Sequence, residues 1–431
     1  MNFLKKQSPV RIISLGFALV ILIGSVLLSL PCSIRDGVTL RYIDALYMST
    51  SAVCVTGLLT VDAGDTFTPL GQFFLGMLIQ VGGLGVTAVG TGVILAMGKK
   101  INLKARNLIR EAGNLDSGKG VIRFIRLVFL TTVTFELAGA ALGFLVFRKS
   151  FPPLKAAGVS LFHSVASFNN SGFDILGGGQ NLIPYQDDIL LNLVTCALVI
   201  FGGIGFLVIR EVIAKRFRWK KLSMHAKVVL FMSLVLTAAG TVLLKLTEDI
   251  TWMGAFFTSV SARTAGFSTF PLGSFSSAGL LTVIVLMVIG ASPGSTGGGI
   301  KTTTCYVLFE GIRSSATNTS EKAFRYAVPA DAFRKAAVIT LLAIGIVLSG
   351  TYILVILEPG VPFLDALFEM SSAFGTAGLS TGISVGLCDA AKILTILIMF
   401  IGRLGPLTIA SLWYFTKGER VSYPEGNIAI G

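Results

Sequence analysis

Eight long apolar runs decide what this chain can become: residues 11–30, 69–97, 121–147, 189–209, 226–244, 280–291 with its continuation, 336–357 and 393–415. A helix needs about 20 mostly apolar residues to cross roughly 30 Å of hydrocarbon. Backbone groups left unpaired in lipid cost several kcal/mol each, so runs of this kind cross as helices. With 53% hydrophobic and 13% charged residues among 431, and a mean hydropathy of +0.81, the chain is a polytopic membrane protein rather than a water-soluble globule. The first run follows Lys5, Lys6 and Arg11, but it is longer than a signal-peptide core and no A-x-A site follows, so it reads as a retained helix.

Charge placement orients the spans. The amino terminus through Arg11, the segments 98–127, 210–227 and 310–335, and the carboxyl terminus hold 25 of the 35 Lys and Arg residues against 8 of the 22 Asp and Glu. The opposite side holds 8 basic and 13 acidic residues. The positive-inside rule puts the first set, and both termini, in the cytoplasm. The net charge of +13 is thus a topology signal in a protein whose surroundings are lipid, and no nucleic-acid partner is expected. Cys32, Cys54, Cys196, Cys305 and Cys388 have no C-x-x-C spacing and read as buried free thiols, with no metal site and no disulfides.

Four outward-facing segments do not suit a membrane helix. DALYMSTSAVCVTGL (44–58), VSLFHSVASFNNSGFD (159–174), GAFFTSVSARTAGFS (254–268) and LDALFEMSSAFGTAGLS (364–380) are each a short amphipathic run ending in a Gly-centred stretch. Their glycines, Gly57, Gly172, Gly266 and Gly378, are 115, 94 and 112 residues apart. The second span of each pair repeats a further landmark: VGGLG (81–85), FGGIG (201–205), IGASPG (289–294) and IGRLG (401–405). Two landmarks recurring together indicate four copies of one plan, span, half-length helix, Gly-centred stretch and span. Gly82 and Gly202 are best read as close-packing positions between helices.

Non-helical backbone at membrane depth is tolerated where it is buried in protein or lines a water-filled cavity. Four such stretches around one axis would present rings of carbonyl oxygens, which can replace the hydration shell of an alkali cation. The carboxyl ends of the four half-helices would aim partial negative charge at the same point. Thr56, Thr264 and Thr376, with Ser51, Ser171 and Ser371, are placed to brace the stretches from behind. No carboxylate lies within the Gly-centred core, Asp174 being the nearest, so selection by carboxylate rings is not expected.

At these residues the chain resembles the Trk/Ktr/HKT superfamily of cation transporters, most of all the membrane subunit of bacterial Ktr potassium uptake systems, over nearly its whole length. The resemblance implies an all-α membrane protein with four M1-P-M2 repeats around one pseudo-fourfold ion pore. It divides the chain into a cytoplasmic amino terminus (1–10), repeats at 11–115, 116–224, 225–330 and 331–416, and a cytoplasmic tail (417–431). It implies a potassium site built from the backbone of Val55, Thr56 and Gly57, of Asn170, Ser171 and Gly172, of Thr264, Ala265 and Gly266, and of Thr376, Ala377 and Gly378. Sodium-conducting relatives carry serine at the first glycine, so Gly57 favours potassium. The resemblance further implies a homodimer docked on an octameric ring of cytosolic nucleotide-binding regulatory subunits, with no covalent cofactor in this chain and sodium as a coupling or activating ion.

GASPGSTGGGIKTTT, residues 290–304, interrupts the third inner span with residues that cannot continue a stable helix. It nearly reads as a phosphate-binding loop from Gly294 to Thr302, but Ile300 intrudes before Lys301 and no strand precedes it. In the family this segment is an intramembrane gate, which would comprise Gly290, Ser292, Pro293, Gly294, Ser295, Thr296, Gly297, Gly298, Gly299 and Lys301. Arg403, the sole charge in the last span, is expected to reach carbonyls of this loop and hold the closed state. His163, His225 and Glu136 read as structural, Glu136 as an interhelical hydrogen bond. Arg263, just before the third Gly-centred stretch, is open between steering and bracing. The expected function is passive or sodium-coupled potassium uptake across the cell membrane, with a coupled transporter of another small solute as the alternative. No clustered catalytic set supports an enzyme.

Overall fold

The computed structural model describes residues 9–86, 88–90, 121–329 and 331–411. The expected tail 417–431, most of the amino terminus 1–10, most of the basic segment 98–127, and the ends of the runs 69–97 and 393–415 lie outside the described residues.

The chain is built almost wholly from helices, in four successive units of outer helix, half-helix and inner helix. The first has α1 (Pro9–Ser29), the half-helix α2 (Tyr42–Cys54) and α3 (Pro69–Leu84). The second has α4 (Val121–Phe147), α5 (Pro153–Phe168) and an inner helix in two parts, α6 (Ile189–Ile204) and α7 (Phe206–Ala214). The third has α8 (Met224–Thr247), α9 (Trp252–Ala262), α10 (Ser277–Val288) and, beyond a loop, α11 (Thr302–Thr317). The fourth has α12 (Ala332–Leu357), α13 (Phe363–Gly375), α14 (Asp389–Leu404) and α15 (Pro406–Ser411). A two-stranded hairpin, Lys322–Ala323 with Tyr326–Ala327, follows α11.

Local chemistry starts three of the four inner helices, α14 having no side-chain cap. Thr68, Asp188 and Ser276 cap α3, α6 and α10 by accepting the backbone N–H of Gly71, Leu191 and Gly279 at 3.3, 2.9 and 3.1 Å. Among the described residues, α1, α4, α8 and α12 are long and apolar enough to cross a membrane, and α6 with α7 makes a fifth if that bent pair is one span. The inner runs thus differ from the expectation of unbroken spans. They break at Gly85, Gly205 and Gly405, at φ of +86°, +97° and +90° with extended ψ, and α6 meets α7 at 98°. An interruption was expected only at 290–304. The glycine two residues after each GG or GR step takes a conformation essentially reserved for glycine, which no helix can pass through.

Half-helices are seated by one device used three times. The hydroxyls of Ser49, Ser164 and Ser259 donate to the carbonyls of Ile21, Glu136 and Thr237 on their outer helices, at 2.7, 2.6 and 2.9 Å. One turn on, Gly24, Gly139 and Gly240 leave the room: a Cβ at each would stand 2.4 Å from that same hydroxyl. On the other side, the ends of α2, α5 and α13 press carbonyls onto the inner helices. A Cβ on Gly82, Gly202 or Gly402 would lie 2.1, 2.0 or 2.0 Å from the carbonyl oxygen of Val53, Phe168 or Phe374. Close packing at Gly82 and Gly202 was the reading of the sequence, and it fixes the depth of the half-helix ends.

The first and fourth units meet at an ion pair. Lys392 Nζ on α14 donates to Asp44 Oδ1 on α2 at 2.6 Å, both side chains under a tenth exposed, and Arg41 pairs with Asp389 at 2.5 Å outside it. All five cysteines are free, but only Cys54 and Cys196 are buried; Cys32 and Cys388 are exposed. The expectation of buried thiols fails for those two, which sit in connections beyond the helix ends, and is met only in part by Cys305, which is half-buried.

Candidate ion-conduction site

The Gly-centred stretches begin where the half-helices stop. Val55, Asn170, Thr264 and Thr376 take left-handed conformations at φ of 56°, 58°, 75° and 49°, and Gly57, Gly172, Gly266 and Gly378 do so two residues later at 91°, 68°, 81° and 82°. A left-handed β-branched residue is strained, at a cost of order 1–3 kcal/mol, and such strain clusters at functional sites. Four matched positions carrying it, three of them β-branched, are held there by their surroundings.

The four stretches close a ring. A Cβ on Gly57 would stand 2.3 Å from the Ser171 carbonyl oxygen, one on Gly172 2.7 Å from that of Ala265, one on Gly266 2.8 Å from that of Ala377, and one on Gly378 2.2 Å from that of Thr56. Each glycine thus abuts the central carbonyl of the next unit, in the order one, two, three, four and back to one. Any side chain at these positions would enter that ring, which is why glycine is required here. All twelve expected ring residues except Val55, Asn170, Thr264 and Thr376 flank or form this junction; those four lie one step below it.

Bracing from behind is uneven. Ser51 Oγ accepts the Gly57 N–H at 2.9 Å, as expected. Ser171 Oγ instead donates to the Ala166 carbonyl at 3.2 Å, and the buried hydroxyls of Thr56 and Ser371 have no partner. Their expected role is not met; the backbone itself ties these stretches to the half-helices, Thr56 N–H to the Ser51 carbonyl, Ser171 N–H to that of Ala166 and Ala377 N–H to that of Ser372.

The loop 289–301 lies directly beneath. Gly297 and Gly298 press on Thr264 and Thr376, where a Cβ would come within 2.2 and 2.5 Å of their hydroxyl oxygens, and the Gly298 N–H donates to Thr376 Oγ1 at 3.0 Å. The loop is also tied to the second unit: Ser292 N–H to the Gly203 carbonyl at 3.0 Å, Thr296 N–H to the Gly202 carbonyl at 3.2 Å, and the Phe206 N–H back to the Gly294 carbonyl at 3.1 Å. Pro293 sets its carbonyl against Gly205, and Ser295 Oγ closes the turn on the Ser292 carbonyl at 2.6 Å. Gly290 packs on Gly298, while Gly294 and Gly299 supply positive φ of 70° and 68°. Lys301 Nζ turns back to the carbonyls of Gly297 and Gly298 at 2.9 and 3.2 Å.

Arg403 meets this loop as the sequence suggested, and does more. Its guanidinium donates to the Thr296 carbonyl and also to the carbonyls of Gly82 and Gly83 at the broken end of α3. It therefore clamps units one, three and four together below the ring. Arg263 resolves as a brace: it donates to the Ser233 carbonyl at 3.0 Å and to Ser233 Oγ at 3.4 Å, on its own unit's outer helix. Glu136 accepts from Asn169 Nδ2 at 3.0 Å, the interhelical bond expected, and Asn169 also donates to Gln80 Oε1 at 2.8 Å. His163 bonds Thr195 Oγ1 at 2.9 Å between the rings of Phe147 and Phe267. The Gly298–Thr376 bond and the Gln80–Asn169 pair had no sequence signal, since each joins residues far apart in the chain.

The family model for TrkH, a cation transport protein, matches residues 10–416. The chain is 36% identical to the Ktr system potassium uptake protein B of Bacillus subtilis, over 98% of this chain and 97% of that protein. It is 35% identical to the potassium/sodium uptake protein NtpJ of Enterococcus hirae, over 99% and 98% of the two chains. Its fold matches the crystal structure of the potassium transporter TrkH from Vibrio parahaemolyticus with a TM-score of 0.75 and 19% identity, covering 95% of this chain and 86% of that one. The chain belongs to the TrkH family of cation transport proteins.

Proposed function

We propose that the chain is the pore of a potassium uptake system in the cytoplasmic membrane. The observation that carries this reading is the closed ring of four Gly-centred stretches, in which each glycine leaves room for the next unit's carbonyl. Carbonyls so placed can exchange with the hydration shell of potassium as substrate, and no carboxylate intrudes on the ring. The names of the Bacillus subtilis and Enterococcus hirae relatives support potassium as the cation, and the second extends the class to sodium.

In this reading Val55 to Gly57, Asn170 to Gly172, Thr264 to Gly266 and Thr376 to Gly378 form the filter. The loop 290–304 is the gate, held shut by Arg403. The Ktr system name supports a multi-component assembly, and we take the regulatory partner to be a cytosolic nucleotide-binding ring serving a homodimer of this chain. Growth of a bacterial strain lacking its own potassium uptake systems tests the reading. Expression of this chain with its partner should restore growth at low potassium; failure despite membrane-inserted protein would overturn it.

A further inference from the structure

We propose that Asn181 is a specificity-determining positioning residue, which captures the Gly172 carbonyl and makes the outer end of the filter unequal on its four sides. The proposal rests on the potassium-filter reading above and adds a residue to it that lies outside the filter, on the connection before α6.

Asn181 Nδ2 donates to the Gly172 carbonyl at 3.2 Å and to Asp174 Oδ2 at 3.0 Å. Its Oδ1 accepts the N–H groups of Leu182 at 2.9 Å and of Ser268, in the third unit, at 3.1 Å. Both ends of the amide therefore face complementary partners, and turning it over would set oxygen against a carbonyl and a carboxylate. Asp174 is 7% exposed and held in turn by the Leu176 N–H at 3.0 Å. Asn181 itself is left-handed at φ 50°. The Leu182 N–H donates also to the Ser268 carbonyl at 3.1 Å, so the side chain is fixed between two units.

The other three corners lack this arrangement. Among the described residues no donor reaches the carbonyls of Gly57, Gly266 or Gly378. A carbonyl tied by an N–H cannot tilt inward to follow a smaller cation, and it lends less charge to any ion. Asp174 returns negative charge at that corner. The tie thus opposes contraction of the filter around sodium while leaving potassium, which needs the wider ring, its remaining ligands.

The test exchanges the pair. Asn181→Asp with Asp174→Asn keeps the net charge, an acceptor for the Leu182 and Ser268 N–H groups and a hydrogen bond between the two side chains, but leaves the Gly172 carbonyl without a donor. Purified protein is placed in liposomes and rubidium flux is measured against potassium and sodium as competitors. The preference for potassium over sodium should fall about fivefold, the equilibrium factor of one ordinary hydrogen bond. Asn181→Gly, which keeps the left-handed backbone, should lower it similarly and serves if the exchanged pair does not yield monodisperse protein. A wild-type ratio in either folded variant, beside a potassium-selective wild type, would overturn the role of Asn181 alone. A wild type that conducts without distinguishing the ions would overturn the filter reading and this proposal with it.

Discussion

Replacing Arg403 by glutamine should release the loop without altering what the filter selects. The guanidinium holds the carbonyls of Thr296, Gly82 and Gly83, from two other units. Hydrogen bonds to a charged group are worth about 1.5–3 kcal/mol each, and the shorter, neutral amide can keep at most one of them. The loss is therefore about 3 kcal/mol of whatever holds the loop beneath Thr264 and Thr376, or a shift of roughly 100-fold between shut and open forms. The assay is rubidium flux into liposomes holding the purified chain without partner, normalised to inserted protein. Flux should rise by up to about 100-fold, with potassium-over-sodium competition unchanged within about twofold. Wild-type flux from well-folded Arg403→Gln would refute the reasoning and leave the arginine as a structural tie.

Three further outcomes are expected. Lys392→Met leaves Asp44 buried beside only the exposed Arg41, which should destabilise the protein by about 3 kcal/mol as a lowered melting temperature in detergent, with Asp44→Asn in the same chain recovering most of it. Burial pushes the Asp44 carboxyl up, but the Lys392 hydrogen bond and charge, with Arg41, outweigh it and hold it below its ordinary value. A lowered folded value gives stability that is full above the unfolded value and lost as pH falls through the folded one, so wild type should lose stability to this pair below about pH 4, and the double variant should not. Gly402→Ala sets a Cβ 2.0 Å from the Phe374 carbonyl and should abolish flux and lower the melting temperature sharply, whereas Gly345→Ala, with open space around it, should melt as wild type does. A membrane-impermeant maleimide applied to intact cells should label Cys32 and Cys388, both exposed in the connections assigned to the outer face, and spare Cys54 and Cys196; labelling only after lysis would reverse the proposed orientation.

Much of this arrangement was legible in the chain because it is repeated. A left-handed glycine at one site is an ordinary turn, but Gly57, Gly172, Gly266 and Gly378 in matched settings specify a ring, and the packing glycines Gly82 and Gly202 follow from the same alignment. Arg403 was legible because a lone charge in an apolar span must find carbonyls. What could not be read was pairing between distant segments: Lys392 with Asp44, Gly298 with Thr376, Asn181 with Gly172. Such bonds depend on how the units close on one another, and an Asn in a connection or a Lys in the first turn of a helix carries no local mark of its partner. The breaks at Gly85, Gly205 and Gly405 were missed for another reason. A single glycine in an apolar run fits a continuous membrane helix equally well, and the loop beneath the ring abuts only the break at Gly205.

The most direct test of a four-glycine potassium filter is competition. Rubidium flux into liposomes should be blocked by potassium far better than by sodium in wild type, and Gly57→Ser, which puts a side chain where the Ser171 carbonyl lies 2.3 Å from a Cβ, should weaken that preference. Equal block by the two ions in wild type, or a preference untouched by the serine, would contradict it.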